Sequence, residues 1–364
     1  MIENKIYVCC HSLGRGGAER VLSILSNVFI KHYKEVVYIC WFSNKTVAYN
    51  INPKVKIIWI EKEIQSRQLL KKIFWFRCFV KQNCPSILLS FLTPINMIVL
   101  TSLLGMNKNI VVSERNDPHL YFRKYRFESL LCVFRNFLYH KSKGIIVQSQ
   151  SIKDYYKGLL KNKCSIIYNP INMDKTMVGA ALDKEKENRI VTVGRLEPQK
   201  NHKLLIEAFS LFCKTHINFR LEIYGEGSCR KELEEYILSL GLKEKVLLHG
   251  VADDIFHCIT SAKVFVLSSI YEGMSNALIE AMSLGLPCIS TKVSGAVDLI
   301  ENGVNGILID CGDVTQLVGA LNKICTNEEY ANMLGNNAVS VYNTLNVDVI
   351  SNKWIEYLNL HLQK

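Results

Sequence analysis

The sequence predicts an α/β protein of two successive doubly wound domains, each a parallel sheet with helices on both faces. Three observations predict it. The length of 364 residues is too great for one ordinary domain and suits two, and 49% apolar against 21% charged residues provides side chains for two cores. Short apolar runs alternate with helical patterns along the whole chain, as buried parallel strands joined by crossover helices do. Glycine-rich turns follow several of those runs directly, at the strand ends where open α/β sheets bind ligands. The same composition excludes a disordered chain, a collagen and a coiled coil.

The strand candidates of the first half are Lys5–Cys10, Glu35–Trp41, Val55–Trp59, Ser86–Phe91, Asn109–Ser113 and Gly144–Gln148. Those of the second half are Cys164–Tyr168, Arg189–Val193, Arg220–Tyr224, Val246–His249, Val264–Leu267, Pro287–Ser290 and Gly306–Ile309. The join is expected near Asn169-Pro170-Ile171-Asn172, with the polar stretch Asp183–Asn188 in a loop. This divides the chain into residues 1–169, residues 170–345 and a C-terminal helix, 346–364. With two such domains, the cleft between them is the expected site. One stretch imitates a membrane span, since no charge occurs from Cys84 to Met106. Pro94 and Asn96 would fall near its middle, so it reads instead as a short strand followed by a helix. The 13 cysteines are irregularly spaced, no signal peptide precedes them and no C-x-x-C pair exists. Reduced thiols in a cytoplasmic protein without a zinc site are expected.

Four motifs carry the chemistry. The first is His11-Ser-Leu-Gly14-Arg15-Gly16-Gly17-Ala-Glu19-Arg20, directly after the first strand. A glycine turn opening a helix lets backbone amides approach a phosphate or sugar, although a plain tight turn reads the same way. The second is Gly194-Arg195-Leu-Glu197-Pro198-Gln-Lys200-Asn201, in which a guanidinium fork and an ammonium at a strand end suit a diphosphate. The third, Tyr224-Gly225-Glu226-Gly227, is a structural turn or a ligand contact. The fourth is the most specific: Ser268 to Met282, with Glu272 and Gly273 in a loop, Ser275 as a helix N-cap and Glu280 in the helix. An apolar helix does not carry a carboxylate inward without a partner, and a ribose diol is one such partner. A structural ion pair or an exposed face is the alternative.

These residues resemble the retaining glycosyltransferases of family 4, also called glycosyl transferases group 1, with the GT-B fold. The resemblance spans nearly the whole chain and is strongest over Val191–Asp310, including the Glu272/Glu280 pair, Leu-His249-Gly-Val251 and Ser294-Gly295 through Gly303 and Gly306. Gly16-Gly-Ala-Glu-Arg20, Ser113-Glu-Arg-Asn-Asp-Pro118 and Ile145–Ser149 look like members acting on surface polysaccharides.

The resemblance implies roles at matching positions. Arg195 and Lys200 would hold the diphosphate of a nucleotide-sugar donor, with Gly194 and Gly225 beside them. Glu280 would bind the ribose. Glu272 would contact the donor sugar, helped by backbone at Gly273, Met274, Ser275 and Asn276. Gly16 and Gly17 would line the diphosphate. The C-terminal segment Val347–Leu362 would return to pack on the N-terminal domain. The family needs no metal and no cofactor, and no D-x-D stands at a strand end here. UDP is the implied nucleotide and GDP the alternative. The acceptor would be a polyprenyl-diphosphate-linked glycan for a capsule, O-antigen or exopolysaccharide. Many members carry a catalytic His after a middle strand; this chain has Ser113–His119 there, leaving Glu114 or His119 for that role.

Charge adds a partner. Residues 1–170 hold 26 Lys and Arg against 9 Asp and Glu, a surplus of 17; the remainder hold 18 against 24. Between Lys62 and Gln82, six cations interleave with Leu69, Leu70, Ile73, Phe74, Trp75, Phe76, Phe79 and Val80. A helix of that kind fits an anionic membrane surface, with Tyr121–Phe127 as a second contact. The competing reading is a domain helix whose apolar side is core. A nucleic-acid-binding module would also use the basic half, but no reader motif is present. A nicotinamide dehydrogenase lacks its G-x-G-x-x-G, and a non-catalytic relative would have no reason to keep Arg195, Lys200, Glu272 and Glu280.

Overall fold

The computed structural model describes residues 2–43, 47–118, 122 and 126–362. It divides into two compact units, Met1–Pro170 with Val347–Lys364, and Ile171–Asn346. In chain order the first unit runs β1 (Ile2–Cys10), α1 (Gly17–His32), β2 (Tyr33–Cys40), β3 (Lys56–Trp59), α2 (Ile60–Ile64), α3 (Leu69–Asn83), β4 (Ile87–Phe91), α4 (Thr93–Ser102) and β5 (Ile110–Ser113). It continues α5 (Glu128–Tyr139), β6 (Gly144–Val147), α6 (Gln150–Tyr155), α7 (Gly158–Lys163) and β7 (Cys164–Ile166). The second unit runs β8 (Glu187–Val193), α8 (His202–Phe212), β9 (Arg220–Tyr224), α9 (Arg230–Ser239), β10 (Val246–Gly250), α10 (Ile255–Thr260) and β11 (Ala262–Leu267). Then follow α11 (Asn276–Leu284), β12 (Cys288–Thr291), α12 (Ser294–Leu299), β13 (Ile307–Ile309), α13 (Val314–Thr326), α14 (Glu328–Ala338) and α15 (Val341–Leu345). The last helix, α16 (Val347–Leu360), belongs to the first unit.

Both sheets are parallel throughout. The first has the order β3-β2-β1-β4-β5-β6-β7, the second β10-β9-β8-β11-β12-β13. Each order reverses direction once, between β1 and β4 and between β8 and β11. At such a switch point the loops leaving adjacent strands diverge to opposite faces and open a crevice. The strand runs are apolar because both faces are covered: β4 is buried at all five positions and β6 at all four. Separate cores result, one around Val37, Leu88, Val112 and Ile145, the other around Ile190, Leu221, Val264 and Leu317.

The uncharged stretch is β4 plus the ten-residue α4, and among the described residues no helix is long and apolar enough to cross a membrane. On the first unit's other face, α16 packs against α1, and Trp354 stacks on Phe91 at the end of β4 with centroids 5.7 Å apart.

The basic helix α3 differs from the membrane-facing expectation on its inner side. Lys72 is buried, donating to the Trp41 carbonyl (2.9 Å) and pairing with Glu61 (2.7 Å). Arg77 donates to the carbonyls of Ser102 and Leu104, both at 2.9 Å. Phe76 and Val80 are core, and Trp75 stacks on Phe79. Two of its cations therefore hold the helix to its own domain. Leu69, Leu70 and Phe74 stay exposed on the opposite side. His119 lies outside the described residues, as do Tyr121, Arg123, Lys124 and Tyr125 of the second basic-aromatic stretch.

Candidate active site

The second unit gathers most of the predicted residues at its switch point. β8 ends at Val193 and β9 at Tyr224, and their following loops are tied backbone to backbone. Gly194 N–H donates to Tyr224 O (2.9 Å), Leu196 N–H to Glu226 O (3.0 Å) and Cys229 N–H to Leu196 O (2.8 Å). Such closeness requires glycine. A Cβ on Gly225, at φ +143°, would lie 1.9 Å from the Gly194 carbonyl oxygen. Glu197 adds a side-chain tie, accepting from the Ser228 amide (3.1 Å) and hydroxyl (2.9 Å).

The loop after β8 is also fastened to the loop after β11. Ile270 N–H donates to Gln199 O (2.8 Å), Gln199 Nε2 to Tyr271 O (2.8 Å) and Ser268 Oγ to Lys200 O (2.9 Å). Asn201 turns the chain with a left-handed φ of 48°. These bonds bring Lys200 Nζ onto Glu272 Oε1 in an ion pair whose carboxylate also accepts from Ser269 Oγ (2.9 Å). Both side chains are mostly enclosed. Low exposure strengthens the pair and fixes both rotamers ahead of any ligand.

Ser275 caps α11, its hydroxyl accepting from Leu278 N–H at 3.4 Å. Gly273, Met274, Ser275 and Glu280 are buried, and Asn276 is half-buried. Glu280 lies beyond the first turn of the helix, on the same element whose N-terminal amides follow Glu272. The loop itself is held from behind by α12: a Cβ on Gly295 would stand 2.6 Å from the Gly273 carbonyl oxygen, so only hydrogen fits there.

Arg195 is placed differently from Lys200. Its side chain is exposed, while its carbonyl accepts from His202 Nε2 at 3.2 Å. His202 is buried, and that burial lowers its pKa to about 4, so a neutral ring braces the loop at pH 7. The fork is thus held at its backbone and open to an anion at its head. Motif reading identified Arg195, Lys200, Glu272 and Glu280, but gave no function to Glu197, His202, Ser269 or Gly295. The signal available for these four was their place next to strand ends, which many structural residues share.

In the first unit Gly16 is the N-cap of α1 and Gly17 its first residue. The Glu19 carboxylate folds back over Gly16, where an added Cβ would meet Glu19 Oε2 at 2.2 Å. The positive end of this helix is therefore already served by the chain's own carboxylate.

Glu114 is withdrawn from the surface. It follows β5 and is fully buried, accepting from Thr93 Oγ1, from Tyr139 (2.8 Å) and from Tyr156 (3.4 Å). Burial raises its pKa, against the pull of Arg135 and of these donors. Enclosed among its own domain's hydroxyls, it is the hub of a buried hydrogen-bond network. Arg115 beside it is also buried: it donates to Asn169 Oδ1 (2.9 Å), sits 5.2 Å from the Phe91 ring, and is lowered by burial to about 9. After β10, Asp254 caps α10 and bonds His257.

Residues 175–341 match the family model of glycosyl transferases group 1. The chain is 28% identical, over 97% of its own length and 98% of the relative's, to the Campylobacter jejuni GalNAc-alpha-(1->4)-GalNAc-alpha-(1->3)-diNAcBac-PP-undecaprenol alpha-1,4-N-acetyl-D-galactosaminyltransferase. A second enzyme of that organism, N-acetylgalactosamine-N,N'-diacetylbacillosaminyl-diphospho-undecaprenol 4-alpha-N-acetylgalactosaminyltransferase, is 29% identical over 92% of this chain and 93% of its own. Among solved structures, sucrose-phosphate synthase from Thermosynechococcus elongatus superposes with a TM-score of 0.80 at 16% identity, covering 99% of this chain and 100% of the other. The family model falls on the unit that holds Lys200, Glu272 and Glu280, and the likeness to named glycosyltransferases runs nearly end to end: the second unit is a glycosyl transferases group 1 domain, and the chain has the GT-B fold.

Proposed function

We propose that this glycosyltransferase moves a sugar, with retention of its anomeric configuration, from a nucleotide-diphosphate sugar to a lipid-linked oligosaccharide that becomes a bacterial surface polysaccharide. The observation that carries the reading is the Lys200–Glu272 pair at the switch point, beside the capped start of α11. Both long C. jejuni relatives are named for acceptors on diphospho-undecaprenol, which supports a polyprenyl-diphosphate acceptor here. UDP is supported by an Escherichia coli relative whose name begins UDP-Gal, 32% identical over 51% of this chain and 50% of its own.

The proposed chemistry follows from the geometry. An incoming diphosphate competes with Glu272 for the Lys200 ammonium and meets the exposed Arg195 fork. Lys200 then neutralises charge as it develops on the leaving group, in surroundings that need little reorganisation. Glu272, released from part of that pairing, accepts from hydroxyls of the donor sugar. Glu280 takes the ribose diol, and the amides at the start of α11 take phosphate or sugar oxygen. Fixed cations supply the charge that a divalent ion would otherwise supply, so the reaction runs without added metal. A lipid-linked acceptor places the enzyme peripherally on the inner face of the plasma membrane.

A donor screen tests the reading, with nucleoside diphosphate release measured against a crude lipid acceptor. Release from a UDP-sugar, undiminished by EDTA, is the expected result. Release from GDP-sugars alone would replace the nucleotide, and loss in EDTA reversed by Mg²⁺ would remove the metal-free mechanism.

A further inference from the structure

The exposed surface of α5 is more apolar than that of the basic helix α3. Phe127, Leu130, Val133, Phe134 and Phe137 fall three, four or seven residues apart on one side of α5, and all five are exposed. Leu130 is 66% exposed, Val133 65% and Phe137 51%. The helix is anchored by its other side, where Arg135, Leu138 and Tyr139 are buried. A soluble surface seldom presents so many large apolar side chains in one stripe.

Cations frame the stripe. Arg126 lies at its start, its guanidinium 5.9 Å from the Phe127 ring. At its end Lys141 sits 5.6 Å from the Phe137 ring, and Lys143 follows. Lys163 joins them, its ammonium donating to the carbonyls of His140 (2.8 Å) and Ser142 (2.7 Å). Partial burial lowers the Lys163 pKa, and the neighbouring Lys143 and Lys141 lower it further, so this corner is short of negative charge. α4 packs between α3 and α5, and the three helices together carry a single acid, Glu128. On α3, Leu70 and Phe74 border an open groove of about 510 Å³ with Ile64, Lys71, Trp75 and Cys78.

We propose that the α3–α4–α5 layer of the first unit rests on an anionic lipid bilayer, with the α5 stripe as the element that enters the acyl boundary and Arg126, Lys141, Lys143 and Lys163 meeting the headgroups. Apolar side chains framed by cations are the pattern of an interfacial helix. A second copy of the chain fits the face less well, because a self-complementary contact would bring its lysines against their own counterparts. Nucleic acid fits less well again, since Leu130 and Val133 offer no ring on which a base could stack. The inference builds on the reading of a lipid-linked acceptor, yet the two fail separately.

Flotation of the full-length protein, with vesicles of phosphatidylcholine alone or with added phosphatidylglycerol and no acceptor present, tests it. Wild type should float with the anionic vesicles and not with the neutral ones. The double variant Leu130→Gln/Phe137→Gln should lose at least about tenfold in binding while keeping its thermal unfolding temperature. Lys141→Glu/Lys143→Glu should lose a comparable amount. Phe74→Gln on α3 should lose less than either. Binding abolished by Phe74→Gln and untouched by the α5 variants would overturn the assignment. So would no flotation by wild type, or a dimer in sedimentation that dissolves in the α5 variant. Transfer to a lipid-linked acceptor without vesicle binding would remove this inference alone; vesicle binding without transfer would remove the functional reading alone.

Discussion

The two units share one topology and use their switch points in opposite ways. In the second unit the loops leaving β8 and β11 are pinned by backbone bonds, and they present Arg195, Lys200 and Glu272 at the strand ends. In the first unit the charges that follow β5 turn inward. Glu114, Arg115 and Arg135 are all buried, tied to Thr93, Tyr139, Tyr155 and Asn169. Leu92, between β4 and α4, takes φ +76° and gives its amide to Ser113 O (3.1 Å), linking the ends of β4 and β5. The contrast teaches that a strand's carboxyl end is only an opportunity. Whether it becomes a ligand site depends on close-packed glycines and caps that leave polar groups facing outward.

Substitutions in the two units should therefore fail in different ways. The largest effect falls on activity in the second unit. Lys200→Ala and Glu280→Ala should each lower kcat/KM by roughly 10²-fold or more. Near-wild-type rates in either would break the assignment.

Gly225→Ala should be the most damaging to stability, at about 3 kcal/mol, because the new Cβ has neither the backbone conformation nor the space it needs. Chemical denaturation measures this, and a cost under about 1 kcal/mol would mean the two strand-end loops part easily.

Glu114→Gln should cost about 2 kcal/mol, leaving Tyr139 or Tyr156 poorly partnered and Arg135 without its nearby negative charge. The donor KM should not move. A collapse of kcat at unchanged stability would assign Glu114 a catalytic role instead.

The smallest effect is on pH dependence. Burial holds His202 near 4 in the folded state, below its value of about 6.5 in the unfolded chain. The unfolded state binds more protons between those values, so stability is full above about 6.5 and declines as pH falls. About 1 kcal/mol should be lost between roughly pH 7 and 5.5 from this group. His202→Asn should flatten that slope in unfolding titrations, and an unchanged slope would assign it to other groups.

The correspondence between sequence and structure is uneven for physical reasons. All thirteen strand candidates are strands, because a doubly buried parallel strand must be an apolar run bounded by turns, and such runs are visible one residue at a time. Ser275 reads as an N-cap and is one, since capping is a local bond. The α3 cations were less legible. Lys72 looks like any surface lysine in the chain, and only the fold places Glu61 and the Trp41 carbonyl around it. The burial of Glu114 was hidden for the same cause, its partners coming from α4, α5 and the end of α6.

By itself, then, the sequence determined the two parallel sheets, the location of their turns and the family whose motifs those turns carry. All of these rest on residues that are neighbours along the chain or a fixed period apart. Tertiary structure alone decided which charges meet, which are withdrawn, and that the α5 stripe rather than the inner side of α3 stays uncovered. Those outcomes depend on groups tens of residues apart, and the burial that sets their energies does not exist until the sheet has formed.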